Sequence, residues 1–254
     1  MQPVARAVVL ALLALLSGCA TIEYYAQAIS GHLDVIRRAH PIEEQLLASD
    51  TSARLRAQLE RVLALREFAS RELALPDNGS YRRYADVGRP FALWNVFAAP
   101  EFSVDPKLSC FPIAGCIAYR GYYAEAYAQR YGREMRGRGY DVFVFGVPAY
   151  STLGWFDDPV LNTFVYYPEA ELARLLFHEL AHQVAYARSD TVFNESFAVT
   201  VEEEGVRRWL ASHGTQAERK AFNAMQARRR DFCGTRGALP RRTRRALRPC
   251  GARR

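Results

Sequence analysis

The sequence has no apolar run long enough to cross a membrane. Its longest, Ala7 to Leu16, is about half of the roughly 20 residues a spanning helix requires. Internal repeats and low-complexity stretches are absent ahead of the C-terminus, which excludes a solenoid or collagen-like chain. Cysteine and histidine are scarce, with five of each, and neither Cys110/Cys116 nor Cys233/Cys250 has zinc-knuckle spacing. Acidic residues are nearly missing from the end of the chain: residues 228–254 hold eleven Arg and one acid, Asp231, a net charge of +10. The residues before them carry 23 basic and 26 acidic side chains, a net −3. The overall +7 therefore belongs to the tail, and no nucleic-acid partner is expected. What is present, 50% apolar, 24% charged and 12% aromatic residues in 254, is enough for one globular core.

At the N-terminus, Arg6 precedes the apolar run and small residues follow it, the build of a secretory signal over residues 1–18. Leu16-Ser17-Gly18-Cys19 resembles the lipobox of bacterial lipoproteins, which implies cleavage before Cys19 and lipidation of its thiol. With Ala20 rather than Asp after it, the resemblance implies the periplasmic face of the cell envelope, at the outer membrane. Four cysteines then remain for an oxidising compartment. Cys110 and Cys116 enclose the short stretch FPIAG and are candidates for a local disulfide between two extended segments.

The body, residues 19–227, reads as a single α+β domain. Residues 19–80 are mostly helical, with Leu55, Leu59, Val62, Leu63 and Phe68 near a 3.6 period, closed by the turn formers Pro76-Asp77-Asn78-Gly79-Ser80. Residues 90–167 are sheet-rich: PFALWNVF, Cys110 to Tyr119 broken at Gly115, and YDVFVFGV, with a helix near Ala124 to Arg136. A small mixed or antiparallel sheet with a helical crossover is expected. Residues 168–210 form a helix pair, opened by Pro168 with Glu169 and Glu171 in the first turn and interrupted at Asp190-Thr191.

The first of these helices carries His178-Glu179-Leu180-Ala181-His182. Residues four apart lie about 40° apart around a helix and one turn along it, so both imidazoles reach one ion. Glu179, about 100° further round than His178, approaches a water on that ion without being a ligand. The pattern suits zinc peptidase chemistry, with Glu179 as general base. A catalytic zinc needs a third protein ligand, and Asn194-Glu195-Ser196-Phe197-Ala198 on the second helix offers Glu195. On the stripe that begins at Glu195, Glu202 faces the same side and is a candidate partner for one histidine, whereas Glu203 and Glu204 point to solvent. His32, His40 and His213 read as surface histidines.

HELAHQ followed by NESFA resembles the gluzincin metallopeptidases, the thermolysin and aminopeptidase N clan. More closely, Cys110 to Leu210, with CFPIAGCIAYRGYY, VPAYSTLGWFDDPVLNT, FHELAHQ and FNESFAV, is similar to a family of bacterial lipoproteins described as predicted aminopeptidases. The resemblance implies a zincin-like helix pair, Zn2+ on His178, His182 and Glu195, Glu179 as base, and a peptide substrate. It also implies a Tyr or His that holds the oxyanion and an edge strand beside which the peptide lies. DVFVFGVPAY is the candidate strand and Tyr150, which follows it, the candidate oxyanion donor; Ser151 to Pro159 forms either a site wall or a packed loop. Two departures stand out: only twelve residues separate His182 from Glu195, and the GAMEN signature of aminopeptidase N is absent.

The function expected is a zinc-dependent peptidase, an aminopeptidase by the closer resemblance, held at a membrane by lipid on Cys19. The alternative is a non-catalytic zinc-binding lipoprotein with a structural or interaction role. Residues 228–254 are either a basic arm for anionic lipid or polymer, or a shifted reading frame of GC-rich coding sequence, and are expected without packed structure.

Overall fold

The computed structural model describes residues 21–103, 105–111 and 115–237, with side chains as far as 232. The signal, Cys19, Cys250 and the C-terminal part of the basic stretch lie outside these residues. The chain is α+β, with seven helices and three small sheets among the described residues. Helix α1 spans 21–38. After β1 (His40–Pro41) and α2 (Ile42–Leu47) comes α3 (Ala53–Leu73). The Ser52 side chain caps α3 by accepting from the Leu55 N–H, and its stripe Leu59, Val62, Leu65 and Ala69 is buried.

Strands β2 (Arg83–Ala85), β3 (Leu93–Pro100), β4 (Ser109–Phe111), β5 (Gly115–Ile117) and β6 (Arg120–Tyr122) follow, then α4 (Glu125–Gly137) and β7 (Tyr140–Val147). β3 is central in the order β6-β3-β7 and antiparallel to both neighbours, so α4 carries the chain from one edge of the sheet to the other. The alternation of the pleat puts Trp94, Val96, Tyr122, Val142 and Val144 on the face that packs with Ala128 of α4. Phe97, Phe143 and Phe145 stack on the opposite face. β3 starts three residues later than the PFALWNVF run and continues to Pro100, which pairs with Tyr140.

The expected single sheet is three. A second joins β1 antiparallel to β2 and β2 parallel to β8 (Val160–Leu161); strands of two or three residues leave no alternation to read. The third is the β4–β5 hairpin, in which Cys110 and Cys116 are directly opposed and disulfide-bonded.

Helices α5 (Glu169–Val184) and α6 (Thr191–Ser212) form a tight antiparallel hairpin. Trp209, near the end of α6, donates its indole N–H to Glu169 at the start of α5 (2.7 Å), and Arg61 of α3 pairs with the same carboxylate (2.7 Å). Gly205 permits the close approach: a Cβ there would stand 2.7 Å from both Leu73 and Phe177. Leu172, Leu176, Phe177 and Leu180 of α5 enter the main core with the α3 stripe, Val206 and Trp209. The last helix, α7 (Gln216–Gly237), is absent from the sequence-based expectation and takes in the first ten residues of the Arg-rich stretch. Phe222 and Gln226 are buried along it.

Candidate metal centre

One turn of α5 separates His178 from His182. Their rings are 4.8 Å apart and nearly perpendicular, with the two Nε2 atoms 3.2 Å apart. From α6, the Glu195 carboxylate lies 3.3 Å from His178 Nε2 and 3.8 Å from His182 Nε2. One ligand atom from each residue falls within 4.8 Å of the others, so these three side chains could hold a metal ion.

The donor set fits such an ion because Nε2 of His178 is aimed inward. His178 Nδ1 donates to Glu202 Oε2 at 2.7 Å, so Nε2 is the nitrogen that faces His182 and Glu195 and would give up its proton to bind an ion. Glu202 is 1% exposed and flanked by the guanidinium groups of Arg174 (3.7 Å) and Arg229 (3.5 Å). His182 Nδ1 is buried without a hydrogen-bond partner, so that ring is oriented by packing, with Tyr186 6.3 Å away, and by whatever Nε2 binds. Burial opposes a charge on His178, but hydrogen bonds to Glu195 and Glu202 outweigh it and push the pKa up to about 10. Burial, then the charge of His178, hold His182 low.

Glu179 is crowded by protein while one edge of it stays accessible. Desolvation pushes its carboxyl up to about 7 against the pull of His178, with Glu195 and Asp158 adding to the rise. A carboxyl poised near neutrality can both accept and return a proton. The arrangement is two imidazoles and a carboxylate that could hold an ion, with a second carboxyl of raised pKa beside them.

The sequence matches a family described as "Putative aminopeptidase" over residues 23–249. The chain belongs to that family. No curated protein and no solved structure matches the chain. The family match takes in both site helices and all three sheets.

The surroundings show what motif spacing did not reveal. Tyr150 has neighbours other than those expected for an oxyanion donor beside the cluster: its phenol is 3.0 Å from Nδ1 of His32 on α1 and its ring packs on Tyr123. Burial pushes its pKa up to about 12, and the charges that act on it are Asp158 and Arg89 rather than those of the HELAH cluster. The reason is topological, since the chain leaving β7 first turns toward α1. His32 is accordingly a partly buried contact rather than a surface histidine, whereas His40 and His213 are exposed. Tyr81, Tyr119 and Tyr186 are phenols that feel the site: burial raises all three, Glu179 adds to the rise at Tyr81 and Tyr119, and Glu195 adds to it at Tyr119 and Tyr186. Tyr119 follows the β4–β5 hairpin, which docks on the α5–α6 connector through a hydrogen bond from the Cys116 N–H to Ser189 Oγ (3.3 Å). Tyr119 also packs on Phe97, so the aromatic face of the sheet continues to a phenol on which Glu179 and Glu195 act.

The loop 151–159 packs against the end of α5. A Cβ on Gly154 would lie 3.5 Å from Gln183, the residue after His182. Gln183 in turn accepts from Asn78 Nδ2 (2.8 Å) and donates to Ser80 Oγ (3.2 Å), so the turn formers 76–80 brace the end of α5. Under that turn lies the fully buried Arg66, which donates to the carbonyls of Ser80 (2.9 Å), Asn78 (3.2 Å) and Pro76 and to Ser70 Oγ (2.6 Å). Its signal in the sequence was an Arg on the apolar stripe of α3. Asn194, beside Glu195, is buried and closes the connector with two bonds to one residue: Ala187 N–H to Oδ1 (2.7 Å) and Nδ2 to the Ala187 carbonyl (2.9 Å).

Proposed function

We propose that the chain is a zinc-dependent aminopeptidase, tethered by lipid on Cys19 to the periplasmic face of the outer membrane. The observation that carries the reading is the convergence of His178, His182 and Glu195 within 4.8 Å, next to a Glu179 carboxyl raised to about 7. Membership of a family whose description names an aminopeptidase supports peptide as substrate and action at a free N-terminus. The gluzincin pattern of the motifs supports zinc over other divalent ions, as does the His2Glu donor set.

His178, His182 and Glu195 would hold the ion, with Glu202 fixing the tautomer of His178. Bound there, zinc supplies Lewis acidity toward the scissile carbonyl and lowers the pKa of a water toward about 7. Glu179 takes the proton of the attacking water and passes it to the leaving amine, and its raised pKa suits it to both transfers. Tyr119 and Tyr186, kept protonated by burial and by the nearby carboxylates, are phenols able to donate a hydrogen bond to the carbonyl oxygen as charge develops on it. The peptide lies over the exposed aromatic face of the β6-β3-β7 sheet.

The test is Glu179→Gln in the metal-loaded chain, with zinc measured by elemental analysis and hydrolysis measured on a peptide library. The expected result is retained zinc and a rate lower by about 10²–10⁴-fold. Peptides with a free amino terminus should be cleaved and their N-acetylated forms spared. Hydrolysis unaffected by Glu179→Gln overturns the assignment, and a zinc-loaded wild type that cleaves no peptide assigns the chain to a non-catalytic role.

A further inference from the structure

Helix α1 turns its apolar side outward. At 100° per residue, Ile22, Tyr25, Ile29 and Leu33 fall within about 80° of one another, and all four are 37–69% exposed. The helix is docked by its other side: Gln27 and Val35 are buried there, and Gly31 sits so close to Tyr123 that a Cβ would stand 2.2 Å from its ring. Of the charges on this helix, Glu23 pairs with Arg130 and Asp34 with Arg38, while the exposed Arg37 stands one turn beyond Leu33 at the edge of the stripe, a cation suited to anionic headgroups. On the flank, the His32 ring packs 4.7 Å from Phe156. Phe156 and Trp155, 55% and 67% exposed, extend the same apolar surface across the loop 151–159.

We propose that this surface lies in the interfacial region of a lipid bilayer. Aliphatic side chains along one helix face, with Trp, Tyr and Phe around them, are the composition that partitions at the boundary between headgroups and acyl chains. The stripe begins three residues after Cys19, so it is continuous with the point at which an acyl anchor enters the membrane, and it extends about 17 Å from there. A second contact beside a lipid anchor converts reversible tethering into a fixed orientation. Because Gly154 abuts Gln183, the residue after His182, that orientation sets the loop beside the end of α5 against the lipid surface. The reading of Cys19 as an anchor supplies the direction of approach, but the patch binds lipid without it.

Trp155 is the one exposed tryptophan of the three, so it reports the contact directly. The chain from residue 19 onward with Cys19→Ser, which carries no acyl group, is mixed with phosphatidylethanolamine–phosphatidylglycerol vesicles whose acyl chains are brominated. The expected result is a blue shift and quenching of Trp emission that Trp155→Phe abolishes. The outward pair Ile29→Asp with Leu33→Asp should lower the vesicle-bound fraction by about tenfold, with an unchanged melting temperature. Emission equal in brominated and plain vesicles overturns the proposal, as does a doubly substituted chain that binds like the wild type. Shielding of Trp155 in the absence of lipid also overturns it: if it depends on protein concentration a second copy covers the patch, and if not, a segment of the chain itself does. Mass spectrometry of Cys19 in the native protein reads the anchor separately, so loss of the anchor and loss of the patch are told apart.

Discussion

His178 Nδ1 lies 2.7 Å from Glu202 Oε2, a carboxylate 1% exposed on the neighbouring helix. This bond decides which nitrogen of His178 faces the cluster and makes that nitrogen more basic. Glu202→Gln should therefore weaken metal binding by about 10–100-fold, read by competition with a chromogenic chelator, while the far-UV spectrum is retained. Equal affinity in both proteins would show that the orientation of His178 is set by packing alone.

Arg66 is expected to be a stability determinant out of proportion to its distance from the cluster. No carboxylate hydrogen-bonds it; carbonyls of the turn 76–80 and Ser70 satisfy its guanidinium. Arg66→Met leaves those carbonyls buried and unpaired, and should cost about 3–5 kcal/mol in urea unfolding. The turn also braces Gln183, so peptide turnover should fall even at temperatures where the variant is folded. A loss below about 1 kcal/mol would mean that water replaces the guanidinium.

The site was legible because helix geometry converts spacing into position. His178 and His182 at i and i+4, and Glu195 and Glu202 at i and i+7, had to share faces once both segments were helical, and Pro168 and Asp190 mark where each begins. The crossover by α4 was legible from the alternation of YDVFVFGV. Pairing that depends on distant chain carried no local mark. The β1-β2-β8 sheet joins residues 40, 84 and 160 through strands too short for a pattern. Which phenol feels the cluster was equally hidden: Tyr150 follows the expected strand yet bonds to His32, while Glu179 and Glu195 act on Tyr119, which follows the hairpin. Helix α7 went unseen because its apolar positions are few and its composition is dominated by Arg.

Asn194 should matter for both stability and metal. Its amide satisfies the N–H and the carbonyl of Ala187 at once, so Asn194→Ala strands two backbone groups and should cost about 2 kcal/mol by chemical unfolding. Asn194→Asp should cost more, because it sets a carboxylate oxygen against the Ala187 carbonyl. Should Asp prove the milder change, the connector does not need the donor.

Asp158 supplies a pH test. It is 2% exposed, one oxygen accepts from the Thr152 N–H (2.8 Å) and the other has no partner. Desolvation pushes its pKa from 3.8 up to about 6. The native carboxyl thus holds its proton more tightly than the unfolded one, so its contribution to stability is fully present below pH 3.8 and is lost as pH rises through about 6. At neutral pH the charged group costs the fold about 2–3 kcal/mol. Asp158→Asn keeps the acceptor for Thr152 and removes the ionisation, at a fixed cost for the buried amide that pH does not alter. The unfolding free energy of the variant minus that of the wild type should therefore rise by about 2–3 kcal/mol between pH 3.5 and pH 7, with most of the change between pH 4 and 6. Other titrating groups cancel in this difference, which makes it specific to Asp158. A difference that stays level across the window would show that water or Ser151 already satisfies the free oxygen.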